Sequence, residues 1–158
     1  MRNNGIEAYL SGCVTALFPK REDKEYTKIC GVDLPKGIEK YMPDNIKNDL
    51  ECYSALYRIN RTDGPDIMTE KESIESYNTA KKMLYYYRNN AALVITSRLH
   101  VASPCMAMGI PVILVKEDFD GRFSWIDKFL PLYGRDEWEK IDWQTYEYVY
   151  PESHSRSA

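Results

Sequence analysis

The chain has 158 residues and a formal net charge of −3, enough length for one ordinary hydrophobic core, with no composition shift that would divide it in two. Acidic and basic residues are interspersed with no basic stripe, which argues against nucleic acid and anionic membrane surfaces as partners and confines any anion site to a local cluster. The longest apolar runs, residues 91–95 and 110–115, have the length of strands rather than of a spanning helix, and residues 1–5 lack the apolar centre of a secretory leader, so a cytoplasmic chain without a membrane span is expected.

In chain order, residues 6–10 form a short apolar segment that breaks at Ser11, Gly12 and Cys13, a strand leading into a glycine-containing loop with Thr15 nearby. No helix or strand precedes that strand to cover it, so an N-terminal portion supplied elsewhere is expected. Residues 20–25 are a charged connector in which Lys20 and Arg21 are solvated. Residues 27–34 read as a buried strand, 35–41 as a short helix with Pro35 in its first turn, and 50–57 as a second strand. A polar loop follows at 60–66, with Arg58 and Arg61 close to it.

Thr69 and Glu72 have the spacing of a capping box, and the helix they open runs to Asn89 with Ile74, Tyr77, Ala80, Met83, Leu84 and Tyr87 as an apolar stripe. A strand at 91–96, a small-residue helix at 102–108, a turn through Gly109, Ile110 and Pro111, and a strand at 111–116 complete the pattern. After a charged loop, 123–130 reads as an amphipathic helix broken by Pro131, and 134–140 as a short helix anchored by Trp138. Residues 141–150 are rich in aromatics, and 151–158 form a disordered tail beyond a single domain spanning 1–150. Strands apolar along their whole length, alternating with helices, predict an α/β fold: a Rossmann-like three-layer domain with a mostly parallel sheet.

Cys13, Cys30, Cys52 and Cys105 lack CxxC spacing and histidine is scarce, so all four read as small buried hydrophobes, and neither a metal nor another cofactor is expected. The thirteen tyrosines fit a half-exposed surface, and they also fit a sugar-facing cleft.

Chemistry concentrates where the 91–96 strand ends in Thr96, Ser97, Arg98 and, two residues on, His100. A cation, an imidazole and two hydroxyls at the carboxyl tip of a strand suit an anionic substrate, because ligands of open α/β sheets bind at that edge. Two readings stand for several of these residues. Ser97, with Ser103, either caps the following helix or touches the ligand. Arg98 either clamps the ligand or pairs with Asp118 or Asp120. Arg122 and Ser124, at another strand tip, either close over the site or belong to an exposed loop, and Ser11 and Gly12 either face the ligand or form only a tight turn.

The segments Ser97-Arg98-Leu99-His100, the small helix after them and Gly109-Ile110-Pro111-Val112 together resemble the polysaccharide pyruvyl transferase family. The likeness continues in residues 9–13, in Arg122-Phe123-Ser124 and in Ile141-Asp142-Trp143, and it corresponds to the carboxyl-terminal half of such proteins. The resemblance implies a fold like the C-terminal half of a GT-B-type enzyme, with a cleft between two Rossmann-like halves. It implies transfer of a pyruvyl group from phosphoenolpyruvate to two hydroxyls of a surface or capsular saccharide, within exopolysaccharide biosynthesis. Arg98 and His100 then face the donor, His100 as the acid-base residue and Arg98 as the clamp, with Ser97, Ser11, Gly12, Arg122 and Ser124 as further substrate-binding candidates. The partners it implies are phosphoenolpyruvate, a saccharide acceptor, and either a missing N-terminal domain or a second copy of the chain, since an isolated half would be inactive. Two alternatives are a GT-B glycosyltransferase C-terminal domain binding a nucleotide sugar, which calls for an acidic residue on the 101–108 helix where none occurs, and a non-catalytic remnant module.

Overall fold

A computed structural model of the chain describes residues 13–55 and 67–144. The expected strand at 6–10, Ser11, Gly12, the 60–66 loop with Arg58 and Arg61, and the 151–158 tail lie outside the described residues. The strands are β1 (Lys28–Val32), β2 (Leu50–Tyr53), β3 (Ala91–Thr96), β4 (Val112–Val115) and β5 (Leu132–Tyr133), and they form one sheet in the order β2-β1-β3-β4-β5. Every neighbouring pair is parallel. Parallel strands covered on both faces are apolar without alternation, which is why β4 is buried at all four of its positions.

The helices are α1 (Asp44–Asp49), α2 (Glu70–Asn90) and α3 (Leu99–Ala107). Right-handed crossovers from β2 to β3 and from β3 to β4 put α2 and α3 on one face, where Tyr87, Val101, Ala102 and Cys105 share a core with Phe123 and Ile126. The opposite face is covered by α1 and by a 3-10 segment at Arg135–Lys140, with Ile38, Ile46, Trp138 and Ile141 inside. The chain leaves β1 toward β2 on one side and returns as β3 on the other. The carboxyl ends of β1 and β3 therefore border a crevice at the switch point of a doubly wound sheet.

The capping box of α2 forms as expected: the Glu72 N–H donates to Thr69 Oγ1 at 3.3 Å, and the Thr69 N–H donates to Glu72 Oε2 at 2.7 Å. With 21 residues α2 is ~31 Å long, against ~20 Å for the six-residue β3. Its amino end therefore overhangs the strand tips. This corrects the expected stripe: Ile74 and Tyr77 are 53% and 64% exposed, and only Met83, Leu84 and Tyr87 pack on the core. At the far end of α3, Gly109 adopts φ 78°. The Ile110 N–H reaches the Cys105 carbonyl and the Gly109 N–H the Met106 carbonyl, a Schellman motif that turns the chain into β4.

Other expectations change for local reasons. The 27–34 strand ends at Val32 because Asp33 turns left-handed at φ 47°. The 35–41 helix shrinks to a 3-10 turn at Ile38–Lys40 behind Gly37, and the helix that does form there is α1, started by extended Pro43 and held by buried Ile46. The amphipathic helix at 123–130 is instead two 3-10 turns, Gly121–Phe123 and Ile126–Lys128, and β5 follows Pro131. Cys30 and Cys105 are buried, but Cys13 is half-buried and Cys52 exposed, which corrects the reading of all four as core. Arg21 is not a solvated connector residue: its Nη1 donates to the Ala91 carbonyl and its guanidinium lies 3.5 Å from the Tyr26 ring centre. No helix among the described residues is long and apolar enough to cross a membrane.

Candidate functional site

The crevice between β1 and β3 is built by backbone turns that side-chain hydroxyls lock. Thr96, fully buried at the tip of β3, donates from Oγ1 to the Val32 carbonyl at 3.0 Å and accepts from the Arg98 N–H at 3.0 Å. Ser97 donates from Oγ to the Asp33 carbonyl. The two hydroxyls stitch β3 to β1 and aim the chain into α3. The expectation that Ser97 and Ser103 cap α3 is therefore corrected: α3 has no side-chain cap, and Ser103 Oγ is paired at 2.8 Å with Thr15 Oγ1 on the 3-10 turn Val14–Leu17.

Arg98 follows directly, and its partner is neither Asp118 nor Asp120. Its Nε donates to Asp33 Oδ2 at 3.0 Å, and the same oxygen accepts from the Ala55 N–H at 3.1 Å. The Asp33 side chain is 13% exposed against 43% for Arg98, so the acid forms a sheltered anchor and the guanidinium reaches outward. Among the described residues Nη1 and Nη2 of Arg98 have no protein partner, and they form the planar fork suited to a carboxylate or phosphate. Asp120 instead holds Arg122, through Nε to Oδ1 at 2.9 Å and Nη2 to Oδ2 at 2.7 Å. That guanidinium, together with the Arg122 N–H, keeps the Asp120 carboxyl well below its usual range.

Arg98, His100, Ser97, Arg122 and Lys116 all line one cavity of ≈ 350 Å³. Its other wall is the overhanging part of α2, through Ser76, Thr79 and Met83. Three basic side chains line it, Arg98, Lys116 and Arg122, and none of its lining among the described residues is an aspartate or glutamate. Leu99 and His100, also in the lining, are the first two residues of α3, so their N–H groups have no intrahelical acceptor and add the positive end of the helix dipole. Pro104, inside α3, has no N–H to offer the His100 carbonyl. The arrangement can hold a small anion with two acidic groups and present an exposed imidazole to it.

Of the other candidates, Ser124 is exposed and does not line the cavity, while Ser11 and Gly12 lie outside the described residues. Sequence reasoning missed Asp33 and Lys116. Both immediately follow a buried strand on the carboxyl side, the position that singled out Arg98, but Asp33 was absorbed into the strand and Lys116 into a charged loop. Among the described residues no three His, Cys, Asp or Glu side chains cluster to hold a metal ion.

The family model described as polysaccharide pyruvyl transferase matches residues 1–118 of the 158-residue chain. The matched span takes in β1 to β4, Asp33, Arg98 and His100, and ends before Arg122, Ser124 and the 141–143 segment. No curated protein and no solved structure matches the chain. A match over most of the sequence means that the chain belongs to the polysaccharide pyruvyl transferase family.

Proposed function

We propose that the Arg98 cavity binds phosphoenolpyruvate and that this chain is the donor-binding half of an enzyme transferring its pyruvyl group to two hydroxyls of a surface or capsular saccharide. The observation that carries the reading is the set of cations on the cavity wall: Arg98, Lys116 and Arg122, with no carboxylate among the described residues that line it. Phosphoenolpyruvate presents a carboxylate and a phosphate, the two groups that a guanidinium fork, an ammonium and helix-terminal amides bind. A nucleotide sugar would want an acidic group for its ribose, and the described residues of the cavity lining include none.

In the proposed chemistry the enol methylene carbon takes a proton and becomes a methyl group, while one saccharide hydroxyl adds to the neighbouring carbon and gives up its proton. The bond from that carbon to the phosphate oxygen then breaks, inorganic phosphate leaves, and the second hydroxyl adds with loss of its proton to close the cyclic ketal. In this reading His100, which lines the cavity, carries the protons, a contribution typically worth ~10²–10⁴-fold. Arg98 and Lys116 bind the departing phosphate and the carboxylate. The acceptor is held chiefly by a second half, either a separate N-terminal domain or another copy of the chain, and the reaction is a cytoplasmic step of exopolysaccharide assembly.

Thermal unfolding with phosphoenolpyruvate, and with a nucleotide diphosphate sugar as comparison, tests the reading. At a hundredfold excess over the dissociation constant the donor adds ~2.7 kcal/mol, a rise of ~5–10 °C for a chain of this size. Arg98→Ala removes the rise. A wild-type chain unmoved by phosphoenolpyruvate, or an Arg98→Ala chain that responds as fully as wild type, refutes the proposal.

A further inference from the structure

Tyr87 has no part in the chemistry above, yet it is the residue of the cavity wall that packing explains least. It sits near the end of α2, is 2% exposed, and its ring belongs to the core with Cys30, Val101 and Cys105. Its hydroxyl is the buried side-chain polar atom left without a hydrogen-bond partner among the described residues. Phenylalanine would fill the same space with no orphaned donor, and native interiors seldom keep an unpaired polar atom without a use. Tyr87 lines the same cavity as Arg98, His100 and Lys116. Burial pushes its phenol above the ordinary value, with Cys105, Cys30 and Asp33 adding to the shift, so the oxygen keeps its proton and can donate.

We propose that the Tyr87 hydroxyl donates a hydrogen bond to an anionic oxygen of the ligand bound in the Arg98 cavity, which makes Tyr87 a substrate-binding residue. The inference rests on the cavity being an anion site, and in its full form on the phosphoenolpyruvate reading. It accounts for the buried neutral donor: an anion gripped by cations on one side is fixed in orientation by a short-range donor on another. The hydroxyl is screened from solvent in the ligand-free chain, so the ligand oxygen meets it once the side chains between it and the cavity shift aside.

Tyr87→Phe keeps the ring and removes only the oxygen. Calorimetric titrations with phosphoenolpyruvate, pyruvate and inorganic phosphate, together with ligand-free thermal unfolding, separate the possibilities. Without ligand the variant melts at or above the wild-type temperature, because it loses an unpaired buried polar atom. With ligand its dissociation constant rises on the order of tenfold or more, the loss of one hydrogen bond to a charged acceptor. Weakening shared by phosphoenolpyruvate and pyruvate but not phosphate puts the bond on the carboxylate, and the converse puts it on the phosphate. A ligand-free melting temperature below wild type means that the hydroxyl serves the fold, and overturns the inference whatever the affinity. So does unchanged affinity for every anion that wild type binds, or a wild-type chain that binds none of the three. If wild type binds pyruvate or phosphate but not phosphoenolpyruvate, and Tyr87→Phe weakens that binding, the donor assignment falls and the role of Tyr87 stands.

Discussion

Asp33→Gly separates the two things Asp33 does, strain the backbone and hold Arg98. The residue sits at φ 47°, where a side chain costs ~1 kcal/mol or more and glycine costs nothing. Its carboxylate pairs with Arg98 Nε and accepts from the Ala55 N–H. Losing a partly exposed ion pair costs ~0.5 kcal/mol and losing the hydrogen bond ~1 kcal/mol. Glycine adds ~0.7 kcal/mol through the greater freedom of the unfolded chain, while release of the left-handed strain returns ~1 kcal/mol. The net is a loss of about 1 kcal/mol. Asp33→Ala keeps the strain and loses the ion pair and the hydrogen bond, ~1.5 kcal/mol. Urea unfolding measures both variants. The functional consequence is larger than the structural one: Arg98 no longer has its guanidinium fixed, and binding of phosphoenolpyruvate to Asp33→Gly weakens on the order of tenfold in a calorimetric titration. If Asp33→Gly is about as stable as calculated and binds the donor as tightly as wild type, Asp33 does not position Arg98 and the geometry assigned to the site is wrong.

Two further outcomes follow from the same structure. Glu51 accepts from Lys28, Tyr53 and Tyr86, and those three bonds draw its carboxyl from an ordinary 4.5 down to about 2. A lowered folded value means stability present above pH 4.5 and lost as the pH falls through about 2, so the unfolding midpoints of wild type and Glu51→Gln differ at pH 6 and converge only as the pH reaches about 2 and below; a gap that is constant with pH would exclude the ionised network. Thr69→Ala breaks the capping box that starts α2 and lowers stability by ~1 kcal/mol. Because the overhanging end of α2 walls the cavity, its amide protons next to Thr69 exchange faster in the variant, and unchanged exchange would show that the end is held by something other than its cap.

Sequence alone was most informative where one residue type has one physical use. The strand at 91–96 appears with the expected bounds because five apolar positions followed by Thr96 and further polar residues suit a buried strand reaching the sheet edge. The capping box and the turn at Gly109 also appear as expected, since each is a local hydrogen-bond pattern fixed by a few side chains. Helices shorter than three turns were read poorly. Residues 123–130 carry a helical pattern of apolar residues but form two 3-10 turns, because a few buried anchors such as Phe123 and Ile126 suffice to tie down a short segment without continuous helix. In α1 a single buried isoleucine leaves no period to detect.

The sequence by itself determined the layered α/β class, the polar strand tip and the kinship of the chain, because apolar periodicity and a contiguous motif survive without coordinates. What only the tertiary structure decided is which distant residues meet at that tip. Asp33 stands 65 positions from Arg98 and becomes its partner only through the strand order β2-β1-β3, which no local pattern encodes. The same holds for Lys116 and Tyr87, brought to one cavity from a strand end and a helix that sequence reading assigned to a loop and to the core. Motifs are written along the chain, but a binding site is a property of the crossovers that fold it.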